Sequence, residues 1–305
     1  MEEVNENIKN ECIERWGKEN KCDSIEWFSR NYSEWIKSIS LENREIIYKL
    51  LSKFEFYGHT YVNKGLHELY CRFIEKYEIN NEETVYTYIK KTDSSLNSSV
   101  RYLVEYISIN NISEKNCLMD IRDINDGELE YIKNIVLIDD YSGSGESIIK
   151  YIEQYYKKFL KKNIFILLIS MSEGAKDNIL NKFKAKDFNI YIEVINLEKK
   201  AFSKIDLNEE EVVLKRKEFE EISIQKGINK NEEIWGRNKT EALISFYNNT
   251  PNNTLGIFWK KTSLNNPLFP RNENSAPNWR KMKYKKKNRK LQNANNYRSR
   301  TNGRV

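Results

Sequence analysis

Two adjacent carboxylates, Asp139 and Asp140, follow the apolar run at 135–138 and precede Tyr141, Ser142, Gly143, Ser144, Gly145, Glu146 and Ser147. This order has a chemical reading. Glycines at 143 and 145 carry no Cβ, so the backbone can turn tightly and press its amides onto a ligand. The hydroxyls of Ser142, Ser144 and Ser147 add donors. A helix starting after the loop would present free N–H groups and the positive end of its dipole, which suits a phosphate. Two carboxylates at the entrance can accept hydrogen bonds from vicinal hydroxyls. A ribose 5-phosphate supplies both partners. Asp139 and Asp140 are therefore the candidate catalytic pair, and residues 142–147 the candidate phosphate binders. Glu146 fits that role only through its backbone, because its charge would repel the ligand.

Other chemistries use similar residues. An apolar strand ending in two acids could be the second motif of a P-loop ATPase, but the chain has no GxxxxGK[ST]. An acid pair of a receiver or phosphatase-like domain does not need Gly-Ser-Gly-x-Ser behind it. A plain strand-to-helix turn would use one glycine.

The elements that must position this loop are legible in the period of the apolar residues. Ile46, Ile47, Leu50, Leu51 and Phe54 form one helical stripe, and Val62, Leu66, Leu69, Tyr70, Phe73, Ile74 and Tyr77 a second. Tyr57 to Thr60 reads as the turn between them. An earlier helix holds Trp27 and Trp35. The pattern then changes. Residues 83–89 have a strand's composition, 135–138 and 164–169 are continuous apolar runs, and 190–195 reads as a further strand. Helices are expected near 100–109, 148–160, 175–185 and 239–247, and a short strand at 212–214. Strands buried on both faces and alternating with helices mean a parallel sheet with crossover helices. Ligands bind such sheets beyond the carboxyl ends of the strands, where the acid pair is delivered.

The stretch from Ile135 to Ser147 resembles the phosphoribosyl-diphosphate (PRPP) signature of type I phosphoribosyltransferases: four apolar residues, two acids, then a small-residue loop. It differs at Tyr141, Ser142 and Gly143, where the common enzymes carry aliphatic residues and Thr. The chain further resembles a divergent phosphoribosyltransferase-like family of bacterial conflict and anti-phage systems, through a helical N-terminus, the DD-aromatic-SGSG loop, and the late segments TPNNTLGIFW and PLFPR. The resemblance covers roughly residues 20–275. It implies a type I phosphoribosyltransferase-like α/β fold behind a helical N-terminal region. It implies a PRPP-like or nucleotide ligand, with Mg²⁺ on the diphosphate. By the same topology, Lys91, Thr92, Asp93, Ser94 and Ser95 correspond to the diphosphate loop; a solvated turn capped by Asp93 or Ser94 reads them equally well. A catalytically inactive sensing module on the same fold, or a module that binds a partner protein or nucleic acid, is the alternative.

Further constellations are secondary. Ser172-Glu173-Gly174 follows a strand and reads first as a helix N-cap, and next as a contact to the base or acceptor. Phe258, Trp259, Phe269 and Arg271 could wall a base pocket, with packing the stronger reading. His59 and His67 read as ordinary helix residues. Four cysteines without a CxxC pair, beside two histidines, argue against structural zinc and against a disulfide framework.

Net charge is +6, yet from Pro277 onward there are 11 basic and no acidic residues, leaving 40 basic against 45 acidic elsewhere. The basic run between Arg280 and Lys290 could neutralise nucleic-acid phosphates or dock an acidic partner. Three regions are expected: 1–78 helical, 79–276 the α/β domain, and 277–305 a basic tail without apolar period. No apolar run is long enough to span a membrane. The N-terminus lacks a signal peptide's apolar core, so a cytoplasmic protein is expected.

Overall fold

The computed structural model describes residues 2–17, 23–90 and 99–271. Three helices come first: α1 (Glu2–Gly17), α2 (Asp23–Lys37) and α3 (Arg44–Ser52). A short strand, β1 (Glu55–Tyr57), leads through Gly58 into α4 (His59–Tyr77). Next come β2 (Thr84–Tyr88), α5 (Ser99–Ile109), α6 (Asp126–Tyr131) and β3 (Asn134–Ser142). The alternation continues with α7 (Glu146–Gln154), α8 (Tyr156–Phe159), β4 (Asn163–Ser172), α9 (Glu173–Phe183) and β5 (Asn189–Glu198). The described part closes with α10 (Glu209–Gln225), α11 (Asn231–Ile234) and β6 (Ile244–Phe246).

Strands β2 to β5 form one parallel sheet in the order β2-β3-β4-β5. Ile135 of β3 lies opposite Val85 on one side and Ile164 on the other. Both faces are covered, which is why the strands read as continuous apolar runs. On one face Leu66, Phe73, Tyr102 and Tyr106 of α4 and α5 pack against Val136, Ile138 and Leu167. On the other, Ile148, Ile152, Ile179 and Phe183 of α7 and α9 pack against Ile135, Leu137 and Leu168. Each fully buried side chain of this kind contributes roughly 1.5–3 kcal/mol. Because the strands run the same way, the loops after β3, β4 and β5 emerge at one edge. The expected α/β architecture with flanking helices and a helical N-terminal region is the one the chain adopts.

A third core joins the two ends of the described chain. Trp16, Phe28 and Phe54 from the N-terminal helices and the residues after them pack with Phe258 and Phe269. The Phe54 and Phe269 rings stack at 4.6 Å, and Trp16 meets Phe269 edge-on at 5.4 Å. A two-stranded parallel pair, β1 with β6, ties the same regions together.

Two expectations are corrected. Residues 212–214 are not a strand but lie within α10. An Asn208–Glu211 capping box starts that helix, and long-chain helix formers continue it past the β-branched pair. Residues 239–247 are not a helix. Glu241 takes a left-handed backbone (φ 54), which breaks any helix there, and Ile244–Phe246 gains its hydrogen bonds from β1 instead. Among the described residues no helix is long and apolar enough to cross a membrane.

Candidate functional site

β3 delivers Asp139 and Asp140 to the carboxyl edge of the sheet. Asp139 is buried and Asp140 half-buried. The Asp139 carboxylate accepts the Asp140 N–H at 2.9 Å, and that of Asp140 accepts the Tyr141 N–H at 2.7 Å. Each acid is thereby folded against its own backbone and held in orientation. Alternation slips by one at this point. Ile138 and Tyr141, three apart, share one hydrophobic cluster, and Leu168 and Met171 of β4 share another. Strict pleating would place each pair on opposite faces. Tyr102 is near enough to feel the charge of both acids. Burial first, and then the Asp140 charge, push its hydroxyl well above the usual tyrosine range.

The loop after β3 is pinned from the neighbouring strand. The Ser172 hydroxyl donates to the Gly143 carbonyl at 2.5 Å and accepts the Ala175 N–H at 3.0 Å, which makes it the N-cap of α9. Asn178 donates to the Ser144 carbonyl at 3.2 Å. With these carbonyls tied toward α9, their lone pairs are kept from an incoming anion. Gly145 has φ +78, and α7 begins at the next residue. A Cβ there would sit 3.0 Å from the Ala175 carbonyl oxygen, so both conformation and space select glycine.

A cavity of about 190 Å³ opens over this loop. Asp139 and residues 141–147 line it, whereas Asp140 is not on its wall. Residues from far along the chain complete the wall: Arg237, Asn252, Asn253 and Arg271. Arg237 Nη2 lies 3.9 Å from the Glu146 carboxylate, and Arg271 Nη1 donates to the Thr250 carbonyl at 2.6 Å. Asn253 is fixed by its amide, which donates to the Arg237 carbonyl at 3.2 Å and to Thr240 Oγ1 at 3.0 Å. Sequence reading missed Arg237 and met Asn252 and Asn253 only as part of the TPNNTLGIFW segment. No local pattern marks them, since their role comes from packing. A second cavity, of about 550 Å³, adjoins the first and shares Gly143, Ser144 and Glu146 with it.

A model of the PRTase-CE family matches residues 32–271. The chain belongs to the PRTase-CE family. It is thus a phosphoribosyltransferase-like protein, and the match spans the sheet, the acid pair and the late segment that carries Arg237 and Arg271. No curated protein matches the chain.

Other candidate residues of this PRTase-CE chain fall elsewhere. Lys91 to Ser95 lie outside the described residues, as does the basic run between Arg280 and Lys290. Just before the former, Lys90 pairs with Asp120, which also takes Arg122. Of the late aromatics, Phe258 and Phe269 belong to the third core, and Trp259 is buried with Nε1 donating to the Thr254 carbonyl at 2.8 Å. Packing, not a base pocket, is their place. His59 and His67 are surface residues of α4, with His67 Nδ1 2.8 Å from Asn110 Oδ1. Among the described residues no three of His, Cys, Asp and Glu group as a metal cage.

Proposed function

We propose that the smaller cavity binds the ribose 5-phosphate half of PRPP or a related nucleotide and that the protein transfers or cleaves at the anomeric carbon. One observation carries this reading: the acid Asp139, the glycine-serine loop and two guanidinium groups line the same small cavity. The phosphate would sit on the loop amides at the start of α7, with Arg237 and Arg271 opposing its charge. Asp139 and Asp140 would accept hydrogen bonds from the 2- and 3-hydroxyls. Displacement at C1 passes through an oxocarbenium-like state, and two fixed carboxylates favour the positive charge that develops there. Anchoring the phosphate fixes the geometry of attack.

Mg²⁺ belongs to the same proposal. Carboxylate oxygens are the hard donors this ion takes, and Asp139 and Asp140 supply them at the site, while most of its ligands would come from the diphosphate. When bound it would neutralise charge on the leaving group. The resemblance to conflict systems extends the proposal to anti-phage defence, where the outcome would be modified or depleted nucleotides or nucleic acid.

Calorimetry with PRPP, with and without Mg²⁺, tests the core of the reading. Mg²⁺-dependent binding that is lost in Asp139→Asn with Asp140→Asn is expected. Unchanged binding in that variant would remove the acids from the mechanism. A second reading, a sensing module without chemistry, is favoured by Glu146, whose carboxylate stands at the phosphate cradle. Ligand binding without any product is its signature.

A further inference from the structure

The larger cavity lies at the carboxyl ends of β4 and β5 and meets the smaller one at Gly143, Ser144 and Glu146, without Arg271 on its wall. Apart from two glycines, every described residue on its wall carries a polar side chain. Besides the shared Glu146, it is charged by three carboxylates, Glu173, Asp177 and Glu198, and three ammonium groups, Lys199, Lys200 and Lys239. Glu198 is buried and fixed: its Oε1 accepts the Tyr57 hydroxyl at 2.6 Å, and Oε2 pairs with Lys204. Among the described residues no aromatic side chain lines this space, and its apolar surface is that of the polar residues' own carbon stems and the two glycines. The late aromatics that could have stacked on a ring are in the core instead.

A nucleobase is a flat ring with two π faces. It gains most from aromatic plates laid against those faces, and none stands here. A hydroxyl or amine compound needs no such plate. Its O–H and N–H groups donate to carboxylates, and its oxygens accept from lysines. We propose that the larger cavity is the acceptor subsite and that it takes a polar, non-aromatic hydroxyl or amine compound rather than a nucleobase.

The inference rests on the ribose 5-phosphate reading above. In the step it requires, a lone pair on the acceptor oxygen or nitrogen forms the new bond to C1. The bond from C1 to the diphosphate oxygen breaks, and its electron pair leaves with the diphosphate. The acceptor's proton passes to a cavity carboxylate. Glu173 on the first turn of α9 and Asp177 on the next, both exposed, are placed to receive it.

The test uses the full chain with PRPP and Mg²⁺ in an amine-free buffer, with ³¹P NMR following diphosphate release and mass spectrometry identifying products. Adenine, guanine and uracil form one arm, glycerol and ethanolamine another, and water alone the third. Glycerol or ethanolamine is expected to raise the rate and yield a phosphoribosyl adduct, while the bases yield no nucleotide. Glu173→Gln with Asp177→Asn should slow that reaction about a hundredfold with the PRPP Kd unchanged. A nucleotide formed from any base overturns the inference, as does release indifferent to every hydroxyl and amine added. PRPP binding without turnover overturns it too but leaves the ribose reading standing. No PRPP binding overturns both.

Discussion

Gly143 and Asn253 meet so closely that a Cβ on the glycine would lie 2.5 Å from the Asn253 Cγ. The asparagine amide cannot easily retreat, because Arg237 O and Thr240 Oγ1 hold it. Gly143→Ala must therefore displace the late segment from the loop after β3. Its PRPP affinity, measured by calorimetry, should fall more than its urea midpoint does. The reverse order would mean that the contact serves the fold alone.

Gly145→Ala should act on stability directly. A left-handed alanine costs about 1–2 kcal/mol, and the crowding by Ala175 O and Ile179 adds to it. Urea unfolding reads this loss, and a midpoint equal to wild type would contradict it.

Arg237→Ala and Arg271→Ala each remove a cation from the cradle wall. A charge-assisted hydrogen bond is worth about 1.5–3 kcal/mol, so each variant should bind PRPP roughly tenfold or more weakly. Binding of unphosphorylated ribose, measured in parallel, should not change. Equal losses for both sugars would show that the arginines do not read the phosphate.

Asp120 gives the protein a pH dependence. Arg122 donates to both its oxygens, at 3.0 and 2.6 Å, and holds its carboxyl well below the usual carboxylate range, with Lys90 adding to the effect. An aspartate in the unfolded chain titrates near about 3.9. With the folded value depressed, the stabilisation is full above the unfolded pKa and is lost as pH falls toward the folded one. Asp120→Asn should thus flatten the fall in urea midpoint between about pH 5 and pH 2. A slope identical to wild type would remove Asp120 from the acid response.

Cys12 and Cys71 should behave oppositely toward a thiol reagent. Burial pushes the Cys12 thiol up to about 12, whereas Cys71 is exposed on α4. In native protein Cys71 should be labelled while Cys12 reacts only on unfolding, as peptide mapping would show. Native labelling of Cys12 would mean that α1 leaves the third core readily.

The loop was readable because its chemistry is local. Strand, acid pair, glycines and following helix are consecutive, so their types and order are visible in one short window. The sheet was readable for a similar reason, since burial on both faces leaves continuous apolar runs. Val212 and Val213 misled because β-branched residues favour strands, while the capping box at Asn208 and Glu211 that decides for a helix lies upstream. β1 and β6, three residues each, carry too few positions for any period, and each is a strand only because the other supplies its hydrogen bonds.

By itself, then, the sequence determined the parallel α/β core and the order of the acid pair and the glycine-serine loop behind it. Only the tertiary structure decided that Arg237, Asn253 and Arg271 close the cradle, that Phe258 and Phe269 join α1 to α3 in a core, and that a polar cavity stands beside the loop. The physical reason is that apolar period and turn chemistry act between near neighbours in the chain. The walls of a cavity are set instead by which distant surfaces bury each other, and that packing leaves no period to read.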